Sequence, residues 1–138
     1  MAVTLPTKIR LEIVTPDRLL LSEEVEEVTI PGSEGYLGIL PGHLPLLTTL
    51  GVGVLSYHQG GKKHSFAVSG GFAEVLGDRV IVLAETVERP EEIDVQRAQE
   101  AKQKAEQLLH SKEQIDVEAT MASLLKATTR IQVAEMRS

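Results

Sequence analysis

The chain of 138 residues contains no cysteine. That excludes disulfides, thiol nucleophiles and cysteine-ligated metal centres. It has no tryptophan, and its four aromatic residues, Tyr36, Tyr57, Phe66 and Phe72, all fall in the first half or just beyond it. A core must therefore be built from Leu, Val and Ile. No apolar run approaches the ~18–20 residues needed to span a bilayer. Met1–Lys8 lacks the apolar centre of a signal peptide, so a soluble protein of a reducing compartment is expected. Basic charge is in deficit. The formal net charge of −6 argues against a nucleic-acid partner.

Two further absences divide the chain. No glycine follows Gly77 and no proline follows Pro90. All the turn formers that strands need lie ahead of a segment that reads as uninterrupted helix. The expected organisation is α+β by segments: an antiparallel β-sandwich or flattened barrel over residues 1–88, then an antiparallel two-helix hairpin over 89–138. In the first unit, Ile9, Leu11 and Ile13 alternate with Arg10 and Glu12, the pattern of a half-buried strand. Short strands follow at Leu19–Leu21, Val25–Ile30, Tyr36–Leu40, Leu46–Leu50, Val52–Tyr57, Lys63–Val68, Phe72–Leu76 and Arg79–Ala84. Turn signals such as Gly60-Gly61 and Gly77-Asp78 punctuate them. Eight to ten strands are expected.

In the second unit Asp94 and Asp116 are natural N-caps. The first helix, near Val95–Leu109, has a thin stripe rich in alanine. The second, to about Glu135, repeats Val117, Met121, Leu124, Thr128 and Ile131 at spacings of four and three. Such short helices with few large side chains are marginal without further partners, so a loosely held element is expected.

No catalytic constellation is present. The chain lacks a P-loop and a Gly-x-Ser-x-Gly elbow, and no enzyme activity, catalytic cofactor or metal is expected. His58 and His64 flank a hairpin without an evident third ligand. Glu23, Glu24, Glu26 and Glu27 read as a solvated edge that discourages aggregation. The turn-rich stretch Gly32–Pro45 could present His43 and the neighbouring Leu44, Leu46 and Leu47 to a partner. On the helices, Arg97 shares a face with Ala101 and Lys104, and Lys126 lies four residues before Arg130. Antiparallel pairing across the loop places Arg97 opposite residue ~128. Three cations would then converge, with a polyphosphate as their natural counter-ion.

Two long motifs carry a family resemblance. Gly32-Ser33-Glu34-Gly35-Tyr36-Leu37-Gly38-Ile39-Leu40-Pro41-Gly42-His43-Leu44-Pro45-Leu46-Leu47-Thr48 resembles the signature loop of the epsilon subunit of F-type ATP synthases, and Val68-Ser69-Gly70-Gly71-Phe72-Ala73-Glu74-Val75 matches a second motif of that family. Val82-Leu83-Ala84-Glu85-Thr86, leading into Ile93-Asp94-Val95-Gln96-Arg97-Ala98, is similar to its strand-to-helix passage. Val133-Ala134-Glu135-Met136 is similar to its C-terminal end.

The resemblance implies a ten-stranded sandwich with a helical hairpin in the rotating central stalk of a bacterial-type enzyme. The partners it implies are the gamma subunit, the c-ring and, when the hairpin extends, the catalytic alpha and beta subunits. It implies a peripheral position on the cytoplasmic face of the cell membrane without direct insertion. It also implies coupling of ion-driven rotation to ATP synthesis, and inhibition of hydrolysis by the helices. Tyr36, His43 and Leu44 fall in the loop expected against the rotor, although some relatives have an acid in place of Tyr36. Ile93-Asp94-Val95-Gln96-Arg97-Ala98 fits the family's ATP-binding motif, Glu88 matches an upstream acid, and Arg130 matches a phosphate-contacting arginine. Lys104 and Lys126 stand where ATP-binding relatives have arginine. ATP is thus the implied regulatory ligand, and a stand-alone ATP-sensing module is the alternative reading.

Overall fold

The computed structural model describes residues 6–136. The outer ends of both expected units lie outside that span, as does most of the Met1–Lys8 stretch. Eight strands precede two helices: β1 Ile9–Val14, β2 Leu19–Val25, β3 Glu27–Gly32, β4 Gly35–Ile39, β5 Leu46–Thr49, β6 Val52–Gln59, β7 Lys62–Val75, β8 Arg79–Glu88, α1 Val95–His110 and α2 Val117–Ala134. The strands pair in the order β2-β1-β8-β7-β6-β3-β4, with β5 on β7. They fold into a sandwich around Ile9, Leu11, Ile13, Val28, Ile30, Leu55, Phe66, Val68, Val80 and Val82, none more than 2% exposed. The alternation of β1 places its three apolar residues inward.

Two details differ from the sequence expectation. The sheet is mixed, because β1 runs parallel to β8, with Leu11 opposite Val80 and Ile13 opposite Val82. Two expected strands are also one. Ser69-Gly70-Gly71 reads as a turn, yet β7 passes straight through it. Gly70 and Gly71 take φ values of 67° and 104°, which lets the strand bend without ending. The bend carries β7 from its pairing with β6 (Val52 opposite Ser69) to its pairing with β5 (Thr49 opposite Phe72). A side chain at Gly71 would meet the Leu83 carbonyl oxygen at 1.9 Å.

The helices start as their caps dictate. Asp94 accepts the Arg97 backbone N–H at 3.1 Å, and Asp116 accepts that of Ala119 at 3.0 Å. The hairpin packs on the outer face of β6 and β7. Leu55, Phe66 and Val68 point into the sandwich, while Val54 and Ala67, one residue out of step, point toward the helices. There they meet Ile93, Val133 and Ala134, flanked by Val95. No residue of the α2 stripe read from the sequence is among the buried ones; Leu124 and Ile131 are partly covered. Thr120, Ala127, Thr129, Val133 and Ala134 are buried, whereas Val117, Met121 and Leu125 are half exposed or more. Small residues let α2 lie close to both α1 and the sheet, while Met121 and Leu125 turn outward.

Candidate functional site

A cavity of about 460 Å³ separates the hairpin from the sheet. Its floor follows from strand register. Ala67 faces Glu88 and Ser69 faces Thr86 across β7 and β8, so period two puts all four on one face. Its roof is α2, where Ser123, Lys126, Ala127 and Arg130 recur at helical spacing, and Ala101 of α1 completes it. Arg130 donates from Nε to one Glu88 carboxylate oxygen at 2.7 Å and from a terminal nitrogen to the other at 2.9 Å. Both side chains are about seven-tenths covered, at 26% and 31% exposure. This two-pronged pair ties the last residue of the sandwich to the second helix. Lys126 has no ion-pair partner among the described residues.

A second cavity, about 360 Å³, opens between the helices and shares Ala101 and Ser123 with the first. Lys104 lines it opposite Thr120, close to the antiparallel register read from the loop. Arg97 lies one turn before Ala101 on the same face of α1, exposed and outside the lining of both cavities. Asp94 is the helix cap, Ala98 is fully buried, and Ile93 belongs to the cluster under α2. Of the expected set, Glu88, Lys126 and Arg130 thus stand together, Lys104 stands in the adjoining cavity, and Arg97 lines neither. Sequence reading missed Ser69, Thr86 and Ser123. The two-residue step from Thr86 to Glu88 was the signal available for the floor.

The Gly32–Pro45 stretch contains β4 and leads into β5, and none of its residues lines the cavity. Leu44 is 80% exposed and Leu47 69%. His43 is half buried, its Nδ1 donating to the Leu44 carbonyl at 2.6 Å. The Tyr36 ring is exposed, but its hydroxyl accepts the Val54 N–H at 2.9 Å, so this side chain also serves the sheet. The two strand histidines do not oppose each other. His58 pairs with Glu27 at 3.6 Å, and His64 stacks on Tyr57 at a centroid distance of 4.9 Å.

The fold is thus a β-sandwich carrying a helical hairpin, docked through a small apolar cluster and the Glu88–Arg130 pair. Comparison with known proteins agrees. Residues 8–90 match the family model described as ATP synthase, Delta/Epsilon chain, beta-sandwich domain, and residues 91–135 match its long alpha-helix domain. The ATP synthase epsilon chain of Desulforamulus reducens is 54% identical over 127 residues, covering 91% of this chain and 96% of that one. That of Nitratidesulfovibrio vulgaris is 51% identical over 126 residues, covering 91% and 94%. A chain of the Euglena gracilis mitochondrial ATP synthase, solved as OSCP/F1/c-ring, aligns with a TM-score of 0.73 at 28% identity, covering 98% of this chain and 82% of that one. A chain of the Tetrahymena thermophila central stalk and c-ring, at 16% identity and a TM-score of 0.60, shares the fold. The chain belongs to the ATP synthase epsilon-chain family of the bacterial F type, and so to the non-catalytic subunits of the stalk. Among the described residues, no helix is long and apolar enough to cross a membrane.

Proposed function

We propose that this chain couples rotation to ATP synthesis through its sandwich and restrains ATP hydrolysis through its hairpin, with ATP as the ligand that favours the folded hairpin. The observation that carries this reading is the cavity itself. It sits across the joint between the two units, with Arg130 and Lys126 in its roof and Lys104 in the neighbouring cavity that shares Ala101 and Ser123 with it. Its volume is in the range of small-molecule sites, about 300–1,000 Å³. A ligand that spans the joint binds only the closed form, and stabilises it by roughly 2.7 kcal/mol at a hundredfold excess over its Kd.

The sandwich would sit on the gamma subunit and the c-ring. The exposed Leu44 and Leu47, beside His43 and Tyr36, supply the apolar contact such a seat needs. The extended hairpin would meet the alpha and beta subunits, and its exposed Val117, Met121 and Leu125 suit that second surface. The protein would lie peripherally on the cytoplasmic face of the membrane.

Two measurements test the reading. A catalytic head reconstituted without the chain, with it, and with a truncation after Glu88 is expected to hydrolyse ATP slowest with the intact chain. Equal rates in all three remove the inhibitory role. Titration calorimetry on the isolated chain is expected to show ATP binding that Arg97→Ala weakens. No heat at millimolar ATP removes the ligand.

A further inference from the structure

Val54 helps to seat the hairpin, yet on one side its own backbone has no strand to hold it. Its side chain joins the cluster of Ala67, Ile93, Val133 and Ala134. Toward β3 the ladder of β6 ends at Ser56, opposite Thr29. Two residues on, Pro31 pairs with Tyr36 of β4, and the Pro31 carbonyl accepts the Gly51 N–H at 2.9 Å. The sheet therefore leaves the Val54 N–H over, and a covered amide needs an acceptor. The Tyr36 hydroxyl supplies it at 2.9 Å, across 18 residues of sequence. The backbone is cut to fit this contact. A Cβ on Gly53 would lie 2.5 Å from the hydroxyl and 2.7 Å from the Pro31 Cβ. The bond is partly buried, although the ring that makes it is 59% exposed on β4, at the end of the strand order.

We propose that Tyr36 is a positioning residue for the helical hairpin: its hydroxyl fixes the Val54 backbone, and through it the seat on which α2 docks. Without the hydroxyl the amide must find water or another acceptor, and Val54 moves with it. The cluster has little slack for such a shift, because Val133 is fully buried and Ala134 nearly so. The hairpin is thereby tied to an open edge of the sandwich that it does not itself cover. Neither a nucleotide nor a partner chain is needed for this tie.

The test uses the full chain as wild type, Tyr36→Phe, Val133→Ala and the double variant. Amide exchange in α2, β1 and β8 and the urea midpoint are measured for each. Tyr36→Phe keeps the ring and loses only the hydroxyl. Its α2 amides are expected to open about threefold more readily, part of the roughly fivefold that a neutral hydrogen bond is worth. Beside Val133→Ala the same substitution is expected to change α2 opening less than about twofold, because the contact it positions has been cut back. A hydroxyl that serves the sandwich alone would lower the urea midpoint and leave α2 opening as it was; that result overturns the proposal. A threefold change that persists in full beside Val133→Ala also overturns it, since the bond would then act elsewhere than through Val54 and Val133. So does a Tyr36→Phe chain with the wild-type midpoint and exchange, in which water has taken the place of the hydroxyl. Exchange of α2, β1 and β8 at one common free energy overturns it as well, because the hairpin would then have no docking of its own to position.

Discussion

The sandwich and the hairpin are held together on different scales. The sandwich closes over branched and aromatic side chains, from Ile9 through Phe66 to Val82, that are almost wholly removed from water. In the hairpin, α1 buries only Ala98 and Ala105, and α2 buries two threonines, two alanines and Val133. At about 25 cal/mol per Å² of apolar surface, alanines contribute little. What fastens the helices to the sheet is the Val54, Ala67, Ile93, Val133 and Ala134 cluster and the Glu88–Arg130 pair. A unit attached this way is expected to open below the free energy at which the sandwich unfolds. The difference separates a heavily packed unit from a lightly packed one.

The most severe way to test this contrast is to break the sandwich. Gly71 combines a φ of 104° with a Cβ position 1.9 Å from the Leu83 carbonyl. Gly71→Ala is expected to cost about 4 kcal/mol from strain and overpacking together. Because α2 rests on β6 and β7, both regions should be lost at one lowered urea midpoint in circular dichroism. A hairpin that survived with the sandwich unfolded would end the idea that it depends on the sheet.

The converse substitution strikes the joint. Val133 is fully buried against Val54 and Ala67. Val133→Ala is expected to cost about 2 kcal/mol of docking, read as faster amide exchange in α2 while β1 and β8 keep their protection. If the strands lost protection equally, the two regions would be one cooperative unit and the contrast would fail.

The division between these regions was legible because glycine and proline stop where the sheet stops. The helix starts were legible at Asp94 and Asp116, where a carboxylate precedes a periodic run. The continuity of β7 was not. Gly70-Gly71 has the composition of a turn, and only the pairing of neighbouring strands decides whether such a pair bends a strand or ends it. The parallel β1–β8 contact joins distant segments and leaves no local signal. The inward face of α2 was misread for a similar reason. Periodicity reports that a helix has an apolar stripe, and the choice of Thr120, Ala127 and Val133 over Val117 and Met121 came from two surfaces competing for it. In the cavity, Lys126 and Arg130 could be placed on one face from spacing alone. The Glu88–Arg130 bond spans 42 residues and required the fold.

A milder change asks whether the exposed loop is independent of the sandwich. The Tyr36 hydroxyl accepts the Val54 N–H, and the bare Cα of Gly53 makes room for it, since a Cβ there would lie 2.5 Å away. Tyr36→Phe leaves that part-buried amide without its acceptor and is expected to cost about 1 kcal/mol, measured as a lowered urea midpoint. An unchanged midpoint would mean that water replaces the hydroxyl and that Tyr36 is free for a partner.

The smallest effect separates the regions by pH. Burial raises the Tyr57 phenol above its ordinary value of 10.0; the nearby Glu23 charge raises it further, and Arg89 opposes the shift. A raised folded-state value means that the fold favours the neutral phenol. The associated stability is whole below pH 10 and is lost as pH rises above 10 through the folded value. Neither helix carries a tyrosine, so this loss belongs to the sandwich alone. Urea midpoints between pH 9 and 11 (on the order of the ordinary phenol value) should fall more steeply for the wild type than for Tyr57→Phe. Parallel slopes would place the alkaline weakness elsewhere, and a steeper loss of α2 protection than of β6 protection would place it in the hairpin.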